Sequence, residues 1–134
     1  MSQTLLFLCP HNAAKSVIAA AYCQRLIAQH GLDIHVTSAG TEPDAAVLPG
    51  VAARLQCEGF DVAGYTPRHV MSQDFQTASR IISLGCDVTA LAPPGTPVEH
   101  WNDVPPPSQH LERARECIYR HVEHLVHTLK SVKA

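Results

Sequence analysis

The feature that most constrains the fold is an apolar run near the start of the chain, followed at once by a short loop and a helix pattern. Residues 4–8 show no polar alternation, which is typical of a strand buried on both faces of a parallel sheet. The helix pattern extends from Ser16 to about His30. A buried strand that leads directly into a helix is the first half of a βαβ unit, so we expect a parallel sheet covered by helices.

The rest of the chain repeats this alternation. Apolar or β-branched runs predict further strands at residues 33–38, 80–84 and 98–101. Periodic patterns predict helices at residues 49–56 and 73–78 and a last helix that Ser108 is expected to cap. The sequence therefore predicts one α/β domain over residues 1–134, a three-layer α/β/α sandwich with a parallel sheet of about four strands.

Composition limits the classes of function. Hydrophobic residues make up 46% of the chain and charged residues 16%, as in a globular protein. Ten Lys and Arg against twelve Asp and Glu give a net charge of −2, which lacks the basic surface that nucleic acids require. No apolar run approaches the ~20 residues of a membrane span, and the first residues do not resemble a secretory signal. We therefore expect a cytoplasmic protein that binds neither nucleic acid nor membrane.

The loop between the first strand and the first helix predicts an anion site beside a nucleophile. It reads Cys9-Pro10-His11-Asn12-Ala13-Ala14-Lys15-Ser16. A helix amino terminus carries unpaired N–H groups and a partial positive charge, and successive N–H groups of a loop can surround a tetrahedral oxyanion. The same field and the Lys15 ammonium favour the thiolate form of Cys9. From spacing alone, Cys9 could equally be an apolar strand-end residue in a plain connection.

The other cysteines and the histidines give weaker signals. No cysteine pair has the spacing of a zinc site, and Cys23, Cys57 and Cys117 lie in helix patterns, where we expect small core residues. Three histidines recur every third residue near the end of the chain, at His121, His124 and His127. They alternate with the apolar residues of the predicted last helix, and no carboxylate or cysteine completes a set of metal ligands with them. We therefore expect no metal, with these histidines on the solvated side of the helix.

Taken together with other motifs, the opening loop resembles that of the low-molecular-weight protein tyrosine phosphatases, a family that includes the thioredoxin- and mycothiol-linked arsenate reductases. The family pattern is a cysteine, five residues, an arginine and a serine at the end of the first strand. Cys9, Lys15 and Ser16 hold the three named positions here. Further matching segments are residues 37–41, 58–62, 65–68 and 82–86, with Pro94-Gly95 and Trp101. The last of these are similar to the arsenate-reductase branch.

The resemblance implies a role for each residue of the loop. Cys9 would be the nucleophile that attacks phosphorus or arsenic. The loop from Pro10 to Ser16 would bind phosphate, arsenate or sulfate through its backbone amides. Asn12 would hold the loop in shape from a left-handed backbone conformation, which Asn tolerates. Ser16 would donate its hydroxyl to the thiolate.

Two departures from the family pattern affect catalysis. Lys15 stands where the family has arginine, so the charge is kept and the planar fork that grips two oxygens is lost. The family's general acid is an aspartate before a proline in a late loop, and Pro106 occupies that position here. Asp103 would replace the acid if the loop turned it inward, and otherwise it is a solvated loop residue.

The resemblance also bears on the reductant. Thioredoxin-linked reductases relay oxidation along three cysteines; Cys86 matches the second, and Ala90 occupies the third position. The resemblance therefore implies an external thiol (glutathione, mycothiol or thioredoxin) and no bound cofactor. Cys86 would either resolve the Cys9 adduct through a disulfide or be inert packing.

Three functions fit these residues. The first is an arsenate-reductase-like enzyme in which Cys9 attacks arsenate or a phosphate monoester. The second is a weak protein tyrosine phosphatase. The third is a catalytically degenerate domain that binds phosphate, arsenate or a phosphorylated protein without turnover. We expect the first, because the nucleophile is intact while two groups in other catalytic roles are replaced.

Overall fold

The computed structural model describes residues 3–62, 64–88 and 91–133. Within them strands and helices alternate along the chain. The strands are β1 (Gln3–Cys9), β2 (Ile34–Gly40), β3 (Arg80–Ser83) and β4 (Glu99–His100). The helices are α1 (Lys15–Gln29), α2 (Pro49–Cys57), α3 (Ser72–Thr77) and α4 (Leu111–Lys133).

The strands form one parallel sheet in the order β2-β1-β3-β4. β1 lies inside the sheet and pairs with β2 along its whole length, so that Cys9 lies opposite Gly40. Because the strands are parallel, their carboxyl ends meet at one edge of the sheet, which is where ligands bind in such folds. The sheet therefore places Cys9 at the binding edge of an inner strand.

Side chains of β1 alternate between two apolar clusters. Phe7 and Cys9 face the larger cluster, which is completed by residues of α1, α2 and α4. Leu6 and Leu8 face the smaller one, to which α3 contributes Phe75. Helices thus cover both faces of the four-stranded sheet, and the predicted three-layer architecture is confirmed.

The start of the last helix differs from the prediction. Ser108 does not cap it, because α4 begins at Leu111. Ser108 lies in a turn in which the N–H groups of Gln109 and His110 donate to the Pro106 carbonyl at 3.1 and 2.9 Å. Three successive prolines lack N–H donors and have fixed φ angles, so the chain turns once more before the helix can begin.

The helix cysteines also differ from one another. Cys23 lies wholly buried in the larger cluster, as expected, and burial raises its pKa to about 12. Cys57 is exposed, so its expected place in the core is wrong; it is the last residue of α2, where the helix leaves the core. Cys117 is half-buried.

Among the described residues, no helix combines the length and the apolar character that crossing a bilayer requires.

Candidate active site

The Cys9 sulfur lies between the end of β1 and the first turn of α1. Cys9 is 3% exposed, and the backbone N–H of Ser16 donates to its Sγ at 3.4 Å. The Ser16 hydroxyl oxygen is 3.0 Å from the same sulfur. The N–H group and the partially positive helix amino terminus thus both face this sulfur. We call residues 9–16 the anion loop.

Asn12 orients the Ser16 hydroxyl. Asn12 is fully buried and has a φ of 49°, the left-handed backbone that the resemblance implies. Its Nδ2 donates to Ser16 Oγ at 2.7 Å. Since that oxygen already accepts a hydrogen bond, the hydroxyl proton is free for donation to the Cys9 thiolate; when the sulfur is protonated, the thiol donates instead.

Groups outside the anion loop hold Asn12 in turn. The Tyr65 hydroxyl and the Arg68 backbone N–H both donate to Asn12 Oδ1, the latter at 3.0 Å. Ser38, near the end of β2, has its Oγ 2.8 Å from the Tyr65 hydroxyl. A chain of hydrogen bonds therefore runs from β2 to the cysteine sulfur. The segment 65–68 belongs to the family motifs, but its contact with Asn12 could not be read from the sequence.

An ion pair holds the segment 65–68, which contacts Asn12. The Arg68 guanidinium donates to both Asp74 carboxylate oxygens, at 3.1 and 2.8 Å. Burial acts to raise the pKa of Asp74, but hydrogen bonds from Arg68 and from the Met71 N–H outweigh it, and the pKa lies below its ordinary value. Asp74 is therefore ionised at neutral pH and holds the segment that binds Asn12.

The anion loop and β2 approach each other closely at Gly40. A Cβ at this position would lie 2.7 Å from the Pro10 carbonyl oxygen and 3.0 Å from the Asn12 backbone nitrogen. Neither backbone atom can retreat without moving the loop. Glycine at the last position of β2 is thus required by contact with the anion loop rather than by an unusual φ angle.

A cavity of about 340 Å³ opens in front of the sulfur. Most residues of the anion loop line one side of it, with Asp44 and Leu48 from the segment before α2. Pro106, Pro107 and Ser108 line the other side; they belong to residues 101–108, which we call the late loop. This volume accommodates an oxyanion with a substituent of modest size.

Lys15 brings an ammonium group to this cavity. Over the described part of the chain its ammonium has no hydrogen bond or ion pair. Its Nζ lies 3.4 Å from the position that a Cβ of residue 85 would take, and Gly85 has a φ of 93° that favours glycine. An ammonium without an ion-pair partner, next to a helix amino terminus, favours an anion in the cavity.

His11 and Asp44 form a pair at the rim of the same cavity. The His11 Nδ1 lies 3.3 Å from an Asp44 carboxylate oxygen and 3.0 Å from the Glu42 carbonyl oxygen. The Asp44 N–H also donates to the His11 carbonyl at 3.0 Å. The sequence analysis missed Asp44, because a carboxylate in an irregular segment carries no pattern that would place it beside the loop.

Comparison with known proteins agrees with this geometry. Residues 4–99 match the model of the family described as low molecular weight phosphotyrosine protein phosphatase. The chain belongs to this family.

Proteins described as arsenate reductases are among those that this chain resembles. A protein of Halobacterium salinarum named "Putative arsenate reductase" is 28% identical over 112 residues, which are 82% of this chain and 79% of that one. YfkJ from Bacillus subtilis has a TM-score of 0.88 at 23% identity, covering 100% of this chain and 98% of its own. A structure described as an arsenate reductase in the phosphate binding state has a TM-score of 0.74 at 27% identity, covering 94% and 98%. The resemblance and the fold are thereby confirmed.

The late loop places Asp103 away from the cavity in front of Cys9. Its Oδ1 lies 2.7 Å from Nε2 of His121 on α4, and this hydrogen bond lowers the pKa of Asp103. Asp103 is not among the described residues that line the cavity, whereas Pro106 is. The late loop thus brings no carboxylate to the cysteine in the described structure.

Cys86 lies just beyond the end of β3 and packs against the smaller apolar cluster, whereas Cys9 belongs to the larger one. The Ser83 Oγ lies 3.4 Å from its sulfur, and burial raises the pKa of the Cys86 thiol. Both cysteines are free thiols. A disulfide between them stays a prediction, and Ala90, the position of the third relay cysteine, lies outside the described residues.

The expectation that no carboxylate or cysteine accompanies the C-terminal histidines is wrong for His121. One ligand atom each of Asp103, Cys117 and His121 lie within 4.8 Å of one another. The cause is tertiary: the late loop folds back onto α4, which distances along the sequence do not reveal. His124 and His127 are exposed, as predicted.

Proposed function

We propose that this protein is an arsenate-reductase-like enzyme in which the Cys9 thiolate attacks arsenate held by the anion loop. The observation that carries the proposal is the cysteine sulfur itself. It accepts a hydrogen bond from the Ser16 N–H, and as a thiolate it can accept another from the Ser16 hydroxyl. It also adjoins the cavity that Lys15 lines with its unpaired ammonium. The arsenate reductases among the relatives support the choice of oxyanion.

The first step would form a bond between Cys9 Sγ and arsenic, while one arsenate oxygen leaves as water and arsenic stays pentavalent. An external thiol then attacks Sγ, and the electron pair of the S–As bond goes to arsenic, which leaves as trivalent arsenite. A second thiol releases Cys9 and yields a disulfide. Two thiols together lose the two electrons that arsenic gains, so glutathione, mycothiol or a thiol-redox protein such as thioredoxin suffices. A reducing cytoplasm supplies such thiols.

The departing oxygen needs a proton, and we assign its donation to His11. The Nδ1 of this imidazole faces two acceptors, Asp44 and the Glu42 carbonyl, and therefore carries a hydrogen. The donor would thus be the imidazolium form, which gives up the second proton from Nε2 and becomes neutral. A positioned acid of this kind contributes ~10²–10⁴-fold to a rate. Arsenate depends less on such an acid than phosphate esters do, because its oxygens exchange more readily.

The test follows arsenite and disulfide formation with glutathione in the purified protein, in Cys9→Ser and in Cys57→Ser. We expect no arsenate-dependent activity in Cys9→Ser. Cys57→Ser should match the unmodified protein, because Cys57 is an exposed thiol at the end of α2. Equal activity in Cys9→Ser and the unmodified protein would reject the proposal.

A binding function without turnover is the second candidate. Lys15 replaces an arginine of the family pattern, and Pro106 lines the cavity where the pattern has the acid. Calorimetry with arsenate and phosphate, together with hydrolysis of an aryl phosphate, separates the alternatives. Binding without turnover of either compound would favour the degenerate domain, and aryl phosphate hydrolysis without arsenite formation would favour a weak phosphatase.

A further inference from the structure

A second group of metal-ligating side chains lies outside the cavity, where the late loop meets α4. Cys117 and His121 are four residues apart on α4 and share one face of the helix. Asp103 reaches them from the late loop. The ligand atoms of the three residues lie within 4.8 Å of one another, and His121 Nε2 lies 2.7 Å from Asp103 Oδ1.

These three atoms are the sulfur, nitrogen and oxygen donors that zinc takes in proteins. Bonds of ~2.0–2.3 Å from a tetrahedral ion place its ligands roughly 3–4 Å from one another. Around an ion, Asp103 and His121 would move slightly apart from their 2.7 Å hydrogen bond, and any pair of ligand atoms near the 4.8 Å limit would move closer together. Three protein ligands also leave one position for water, as in open zinc sites.

The histidine is already held in place. Its ring stacks on Trp101, with centroids 4.6 Å apart and planes inclined by 12°. Trp101 is itself buried and contacts Phe7 of β1, with ring centroids 5.6 Å apart. Cys117 Sγ contacts the Asp103 carbonyl oxygen at 3.7 Å, so the loop backbone follows the helix here. Asp103 is exposed, which gives an ion a path of entry.

The surrounding charges indicate which kind of ion would bind. Asp103 and Cys117 border a hollow of about 210 Å³ that is also lined by Glu116, Arg113 and Arg120. Two arginines oppose an ion that is held by charge alone, such as magnesium or calcium. A thiolate and an imidazole instead favour an ion with affinity for sulfur and nitrogen.

We infer that Asp103, Cys117 and His121 form a binding site for a divalent cation of the zinc class. The ion would join the late loop to α4. Since Pro106–Ser108 of the same loop line the Cys9 cavity, the ion would also restrain one wall of that cavity. The inference does not depend on the proposed function.

The first test uses Co²⁺ as a spectroscopic probe of the purified protein. A Co²⁺–thiolate bond gives a near-ultraviolet charge-transfer band, and a tetrahedral site gives intense visible bands. We expect both bands at one equivalent, their loss in Cys117→Ser, and their retention in Cys57→Ser and Cys9→Ser. Bands that survive Cys117→Ser, or that disappear with Cys57 or Cys9, would overturn the inference, and so would the absence of bands in the unmodified protein.

The second test measures Zn²⁺ affinity by competition with a chelating dye and follows the thermal unfolding midpoint. His121→Ala and Asp103→Asn should each weaken binding at least tenfold. Because a ligand that binds only the folded state stabilises it, Zn²⁺ should raise the midpoint of the unmodified protein more than that of Asp103→Asn. The Asp103 side chain is exposed, so this variant keeps its fold even if Cys117→Ser does not. Equal affinity and equal shifts would reject the site.

Discussion

The anion loop and the late loop face the same cavity, yet they are held in opposite ways. In the anion loop the polar side chains of Asn12 and Ser16 are buried and bonded inward, toward the sulfur and the segment 65–68. In the late loop the apolar side chains of Trp101 and Val104 are buried, and the polar side chain of Asp103 bonds outward to α4.

This difference shows that two loops at one cavity can be held by different forces, one by polar contacts and the other by apolar packing. The polar network around the cysteine is connected throughout, so any missing member would leave buried partners without hydrogen bonds. The late loop is anchored by apolar packing instead. That packing leaves the Asp103 side chain to contact His121 rather than the cavity.

The largest effect is expected for Asn12→Ala. This change removes the partner of the Ser16 hydroxyl, the Tyr65 hydroxyl and the Arg68 N–H, and each buried group left unsatisfied costs ~1–3 kcal/mol. The free energy of unfolding, measured in urea, should fall by about 3 kcal/mol or more, and arsenate turnover by more than ~100-fold. Asn102→Ala, at an exposed position of the late loop, should change the free energy by less than ~0.5 kcal/mol. Equal losses of stability in Asn12→Ala and Asn102→Ala would contradict the difference between the two loops.

His11→Gln comes next. If His11 protonates the departing oxygen, the kcat for arsenate should fall by roughly 10²-fold, since glutamine has no transferable proton. Arsenate affinity, measured by calorimetry, should change far less, because the backbone amides and Lys15 remain. A kcat within a factor of ~3 of the unmodified value would remove His11 from the reaction.

Lys15→Arg should increase the affinity of the anion loop for oxyanions, because it introduces the arginine of the family pattern. The guanidinium can hold two oxyanion oxygens at once, and one further charge-assisted hydrogen bond is worth ~1.5–3 kcal/mol. The Kd for phosphate or arsenate should therefore fall about tenfold or more, and aryl phosphate hydrolysis should rise. Lys130→Arg on the exposed side of α4 serves as the matched control. An unchanged Kd in a folded Lys15→Arg protein would contradict this account of the cavity.

Asp74→Asn tests the support behind the anion loop through its pH dependence. Because the folded-state pKa of Asp74 is lowered, its stabilisation is complete above the pKa of the unfolded carboxyl and is lost as pH falls through the lower folded value. Asp74→Asn should be roughly 1.5 kcal/mol less stable than the unmodified protein at pH 7. As the pH falls, the variant should lose less stability than the unmodified protein, because it no longer has this carboxylate to protonate. Urea denaturation between pH 7 and pH 3 measures this, with Glu123→Gln at an exposed site as control. Parallel pH profiles in Asp74→Asn and the unmodified protein would contradict it.

The smallest effect is expected for Asp103→Asn in the absence of added metal. Arsenate turnover should stay within about twofold, because Asp103 does not line the cavity. Stability should fall by less than ~1 kcal/mol, because Asp103 is exposed and its contact with His121 is screened by water. A tenfold loss of kcat would indicate that Asp103 is the general acid and that both loops contribute catalytic groups.

Much of the fold could be predicted because its signals are local. The uninterrupted apolar character of β1 and the periodicity of α1 lie in short windows of sequence, and short loops between them leave a parallel sheet as the natural arrangement. The errors fall where local signals compete. Ser108 resembles a helix cap, but the prolines before it impose a turn that delays α4.

The sequence by itself determined the local shape of the anion loop. A cysteine at a strand end, an asparagine that tolerates the left-handed conformation and a helix start are close neighbours, and their geometry follows from their own preferences. Only the tertiary structure decided what surrounds that loop. His11 meets Asp44 and Asp103 meets His121 because separate segments pack side by side. The direction of an exposed loop side chain depends on which segment lies next to it, and that information is not carried by the loop's own residues.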